Sequence, residues 1–167
     1  MARPVATPAK KRAINASLGK MVVGDNSTDL TIYGLGSAFG LVVWAPSIQL
    51  AVLSHIIQPS SKGAAVNPAT PAKFADWAIP QAIETLLSQG AQKDELVAKL
   101  AGGAHPLAAA LGNAVKQNSE QVTALLESEG IELVATSLGG SVGRTIIFHP
   151  DSGFMDIKMV NGIQEQI

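Results

Sequence analysis

Between residues 30 and 61 the chain carries no Asp, Glu, Lys or Arg, and this gap in charge limits how the polypeptide can fold. A stretch so apolar has to be hidden from water, in lipid or in a protein core. A membrane-spanning helix needs about 20 uninterrupted apolar residues. Here Gly34, Gly36, Gly40, Pro46 and Pro59 break the run. Strands buried inside a soluble domain fit it better. Residues 30–33, 38–44 and 50–57 read as three such strands, separated by the turn Gly34-Leu35-Gly36-Ser37 and by Pro46-Ser47.

Other elements follow from turn chemistry and periodicity. Residues 20–23 form a strand closed by Gly24-Asp25-Asn26. Residues 73–89 carry Phe74, Trp77, Ala78, Ile83, Leu86 and Leu87 at helical spacing, with Pro80 expected to kink or restart the helix and Gly90 to end it. Residues 93–100 suit a strand or a short helix. Residues 118–129 read as a helix capped by Gly130. Residues 131–136 and 144–149 read as strands, and 154–160 closes a hairpin after Pro150-Asp151-Ser152-Gly153. Strands, two helices and then strands again indicate an α+β domain, with helices on mixed or antiparallel sheet. The expected organisation is a single domain over residues 20–167, preceded by a flexible basic arm over 1–19 that carries Arg3, Lys10, Lys11 and Arg12.

Composition excludes several chemistries. The 167 residues contain no cysteine, so disulfides, thiolate catalysis and cysteine-ligated zinc are all ruled out. His55, His105 and His149 have no ligand spacing, so neither a metal nor a cofactor is expected. A net charge of −1 carries no nucleic-acid footprint. No apolar h-region follows the basic N-terminus, so a cytoplasmic protein without membrane insertion is expected. Charged residues make up 15% against about a quarter in ordinary soluble domains. That fits either a surface partly covered by a partner or another copy, or an Ala- and Ser-rich surface that is simply solvated.

Five segments, in order, resemble one family, the chemoreceptor glutamine deamidases (CheD). They are Gly34-Leu35-Gly36-Ser37, Ser54-His55-Ile56-Ile57-Gln58-Pro59, Lys73-Phe74-Ala75-Asp76, Ala98-Lys99-Leu100-Ala101-Gly102-Gly103-Ala104, and Gly139-Gly140 with Arg144. The resemblance covers roughly residues 20–160. It implies a layered α/β/α sandwich with two main helices, similar to the catalytic domain of cytotoxic necrotizing factor toxins. It also implies a cysteine nucleophile directly after the glycine-rich turn, a histidine base, a threonine that orients the imidazole, and backbone N–H groups of the turn around the oxyanion. Gly34, Gly36 and Ser37 match that turn and His55 matches the base.

Ala38 stands at the nucleophile position. His55 follows it by 55 − 38 = 17 residues, a gap that suits the family. Ser37 is adjacent but should point elsewhere, its hydroxyl bonding the turn. An ungapped alignment puts Ile32 at the orienting threonine, whereas a slip of one residue would restore Thr31. Residues 115–118 keep only the Asn of the family's Gly-x-Arg-Asn segment, and Gln117 replaces its Arg. Loss at several positions favours natural decay over an engineered replacement at position 38. The functional expectation is a catalytically silent CheD-like protein that binds a chemoreceptor cytoplasmic domain, a CheC-type phosphatase or itself. Two alternatives stand beside it: an authentic deamidase inactivated at position 38, and a structural protein that assembles from this fold. His55 also reads simply as a buried strand histidine, His105 and His149 as loop and exposed turn residues, Arg144 as a structural cation, and Trp44 and Trp77 as core or interface anchors.

Overall fold

The structure, a computed structural model, describes residues 10–167. Their order is β1 (Arg12–Asn15), β2 (Met21–Gly24), β3 (Thr28–Leu35), β4 (Phe39–Ala45), β5 (Leu50–Ile56), α1 (Ala75–Ser88), β6 (Val97–Gly102), α2 (Ala108–Ser128), β7 (Glu132–Leu138), β8 (Arg144–Phe148), β9 (Met155–Met159) and β10 (Gln164–Gln166). Single 3-10 turns precede β5 and β6.

The strands form two five-stranded sheets, ordered β1-β3-β8-β9-β10 and β2-β5-β4-β6-β7. Within them β1 runs parallel to β3 and β7 parallel to β6, and the remaining pairs are antiparallel. One core lies between the sheets, where Leu30 and Ile32 meet Val42, Leu53, Ile146 and Phe148. The alternate residues of the second sheet, among them Leu41, Val43, Val52 and Ile56, face the helices instead. There they pack on Ala78, Ile79, Ala82 and Leu86 of α1 and on Val122 and Leu126 of α2. The α+β class and a sandwich of mixed sheets are as expected, but the layers run sheet, sheet, helix pair, because both helices pack on one face of the second sheet instead of flanking the sheets as in an α/β/α order. The uncharged stretch is thereby explained. Strands β4 and β5 lie in the middle layer with both faces covered, so a charge on either face would be buried without water.

Several boundaries differ from the sequence reading. The stretch expected to be an arm contains β1, which pairs with β3 from Arg12 opposite Thr28 to Asn15 opposite Thr31. Residues 1–9 of that arm lie outside the described residues. Helix α2 starts at Ala108, ten residues before the expected position. Its first half is mostly exposed, so it shows no buried stripe for periodicity to detect, and its alanines carry it by propensity instead. Helix α1 continues through Pro80. No helix among the described residues is long and apolar enough to cross a membrane.

Candidate functional site

The turn expected to hold the nucleophile joins β3 to β4. The register of β3 against β8 shifts between Ile32 and Leu35, and Gly34 sits in that irregularity at φ 66°, a conformation that glycine adopts without strain. The end of β6 pins the turn from behind. Gly103 donates its N–H to the Ala38 oxygen at 3.0 Å, and Ala104 donates to the Gly36 oxygen at 3.0 Å. The N–H groups of Gly36, Ser37 and Ala38 have no acceptor among the described residues. Three such donors in sequence suit an oxygen that carries negative charge.

His55 lies on β5 opposite Gly40 of β4, which places it beside the turn, and it is 7% exposed. Its backbone is held on both sides, by an N–H to the Lys20 oxygen at 2.9 Å and by its own oxygen accepting from Gly19 at 3.0 Å. Its Nδ1 lies 3.0 Å from the Ala16 oxygen. A carbonyl only accepts, so Nδ1 carries the proton and Nε2 keeps its lone pair. Burial pulls the imidazole below its usual pKa, opposed only partly by the bond to Ala16. His55 is therefore a neutral base near pH 7.

A cavity of about 410 Å³ brings these residues together. Its lining includes Gly34, Gly36, Ser37, Ala38 and His55, with Leu18 and Tyr33 exposed at its rim. The methyl group of Ala38 is half-buried against the inter-sheet core. The Ser37 side chain is exposed, and its hydroxyl has no partner among the described residues rather than bonding the turn. Thr31 is not brought into the cavity. Leu30 and Ile32 both point into the inter-sheet core, so strand alternation turns Thr31 to the opposite face, where its hydroxyl lies 3.4 Å from the Ile14 oxygen. It reaches the site only through its backbone, its oxygen accepting from Ala16 at 2.8 Å.

Sequence reasoning missed Ala16. A backbone oxygen has no side-chain signature, and β1, which delivers it, is too short to show a period. The other histidines lie elsewhere. His105 accepts at Nδ1 from the Leu107 N–H. His149, expected to be exposed, is held between Asp29 and Asp156. Trp44 reaches from β4 to the Pro150 oxygen, and Trp77 stands 42% exposed on α1. Among the described residues no cluster of His, Asp and Glu is arranged to hold a metal ion.

Comparison with known proteins identifies the family. A family model described as CheD chemotactic sensory transduction matches residues 58–159, more than half of the chain. A probable chemoreceptor glutamine deamidase CheD of Symbiobacterium thermophilum is 34% identical over 155 residues, covering 90% of this chain and 94% of the relative. One from Geobacter metallireducens is 32% identical over 160 residues, covering 93% and 97%. One from Clostridium botulinum is 39% identical over 137 residues, covering 79% and 84%. The chain belongs to the CheD family of chemotactic sensory transduction proteins and is related to receptor glutamine deamidases.

Proposed function

We propose that this CheD-family protein keeps the deamidase site as a binding site and has lost the reaction: it takes up a glutamine side chain of a chemoreceptor cytoplasmic domain and releases it unhydrolysed. The observation that carries this reading is Ala38, which lines the same cavity as His55. An acyl-enzyme needs a nucleophilic atom at the turn. Alanine supplies none, and the whole sequence contains no cysteine.

Binding needs less than catalysis, and the groups it needs are present. A primary amide offers a carbonyl oxygen to the free N–H groups of Gly36, Ser37 and Ala38, and N–H donors to the Nε2 lone pair of His55. Leu18 and Tyr33 supply apolar surface at the rim. The test pairs ammonia release with binding to a chemoreceptor cytoplasmic fragment. No ammonia and saturable binding, weakened when the receptor glutamine is replaced by glutamate, are expected. Ammonia release by the unaltered chain would overturn the proposal.

A second reading is favoured by the oriented imidazole. If a deamidase was disabled only at position 38, His55 should stand as it does, with its tautomer already set for proton abstraction. Ala38→Cys separates the readings. Full receptor deamidation by that variant supports disablement at one position. Weak release supports a site that has drifted toward binding.

A further inference from the structure

Arg144, at the start of β8, is 3% exposed. Its guanidinium donates to the Ser137 oxygen at 2.6 Å, to the Ser137 hydroxyl at 2.9 Å and to the Gly139 oxygen. All three acceptors are neutral. Its Nε–H has no acceptor among the described residues, and no carboxylate there pairs with it within 4.0 Å. A buried cation without a counter-ion is costly, and native proteins rarely leave one so.

Arg144 lines a cavity of about 600 Å³ together with Gly140, Ser141, Val142, Asn161 and Glu165. The N–H groups of Gly140, Ser141 and Val142 have no acceptor among the described residues. Glu165 is the only acidic residue in the lining. It accepts from the Ser137 hydroxyl at 3.1 Å instead of pairing with Arg144. It belongs to β10, a three-residue exposed edge strand, so little packing holds its carboxylate over the cavity. Burial draws the Arg144 pKa below its usual range, and the charge of Glu165 offsets this in part.

We propose that this cavity is a site for a phosphoryl oxyanion, with Arg144 supplying charge, the 140–142 loop supplying backbone donors, and the Glu165 carboxylate as the group it displaces. Loops that present successive N–H groups bind such anions, and guanidinium bonds to phosphate are among the stronger protein hydrogen bonds. A carboxylate ligand has two oxygens. A phosphate has three or four, which suits the guanidinium, three N–H groups and the Ser141 hydroxyl together. The lining of this site shares no residue with the cavity of Ala38 and His55.

The test is a titration of the full chain with inorganic phosphate at constant ionic strength, chloride being exchanged for phosphate and backbone amide NMR being the readout. O-phosphoserine in a parallel series separates free phosphate from a monoester by which of the two binds more tightly. Saturable shifts centred on Gly140, Ser141 and Val142 are expected. Glu165→Gln removes a facing negative charge and should tighten binding about tenfold. Arg144→Lys should weaken it, and if that variant does not fold, Glu165→Gln still reads the site. Shifts that do not saturate, shifts centred away from the loop, or an affinity unchanged by Glu165→Gln would overturn the proposal.

Discussion

His55 donates its Nδ1 proton to the backbone oxygen of Ala16 at 3.0 Å, across 39 residues of chain. In triad chemistry the base needs such a partner, because it holds the ring in one tautomer and aims the other nitrogen at the nucleophile. A backbone acceptor cannot be lost by point substitution. The base can therefore stay oriented in a chain that no longer carries a nucleophile.

Restoring the thiol should on this account restore some chemistry. Ala38→Cys is expected to release ammonia from a chemoreceptor cytoplasmic fragment where the unaltered chain releases none. Adding His55→Ala should cut that rate by roughly 10²–10⁴-fold, the usual contribution of a positioned base. The imidazole pKa lies below its usual value because of burial, so the base stays neutral as pH falls through 6.5. Titration of the His55 ring by NMR in the unaltered chain checks this. A midpoint at 6.5 or above would show that His55 is not held as described.

Thr31 and Ile32 are separable in the same assay. The Thr31 hydroxyl points away from the cavity, so Thr31→Val in the Ala38→Cys background should leave ammonia release unchanged. A steep loss would mean that a hydroxyl at position 31 orients the base and that Ala16 alone does not suffice.

Much of the architecture was legible in the residues, and for physical reasons. The uncharged stretch from 30 to 61 could exist only with both strand faces covered, and β4 and β5 are so covered. The helix over 73–89 announced itself by an apolar stripe. The missing parts gave no such signal. Strand β1 is held mainly by backbone bonds and by Lys11 reaching Asp29 and Asp151. Strand β10 has only three exposed polar residues. In the site, the turn and His55 could be named from side chains. The Ala16 oxygen, the free N–H groups and the outward turn of Thr31 depend on backbone course and strand register, which side-chain identities do not state.

Gly102 should be intolerant of any side chain. It ends β6 at φ 118°, and an added Cβ would overlap the Ala38 carbonyl oxygen, a backbone atom with no room to retreat. Its own oxygen also accepts from Gly139 at 2.9 Å, and the next N–H, from Gly103, holds Ala38. Gly102→Ala combines backbone strain with a main-chain clash and should cost about 3 kcal/mol. Urea unfolding measures that cost. The same variant should abolish ammonia release in the Ala38→Cys background even under conditions where it is fully folded, because the turn shifts. Near-wild-type stability would show that β6 is free to move away from the turn.

His149 should give the fold a pH dependence of definite sign. Its Nδ1 lies 2.8 Å from Asp29 and its Nε2 2.9 Å from Asp156, which ties β3 to the end of β8 and to β9. Burial works against its charge, but the bonds to Asp156 and Asp29 and their negative charges outweigh burial, so its pKa is raised above 6.5. The bond to His149 also lowers the Asp156 pKa. A raised histidine pKa in the folded state means that folding binds a proton. The stabilisation is complete below pH 6.5 and fades as pH rises through the folded value. His55 acts in the opposite sense, because burial keeps it neutral in the fold, so its contribution weakens as pH falls below 6.5. Lys11 also faces this cluster, reaching Asp29 and Asp151. Urea unfolding of the unaltered chain and of His149→Gln at pH 6.0 and 8.5 separates the two histidines. The difference in stability between the two proteins should be larger at pH 6.0. A difference that is equal at both values, or larger at 8.5, would show that His149 is not held as a cation between the two aspartates.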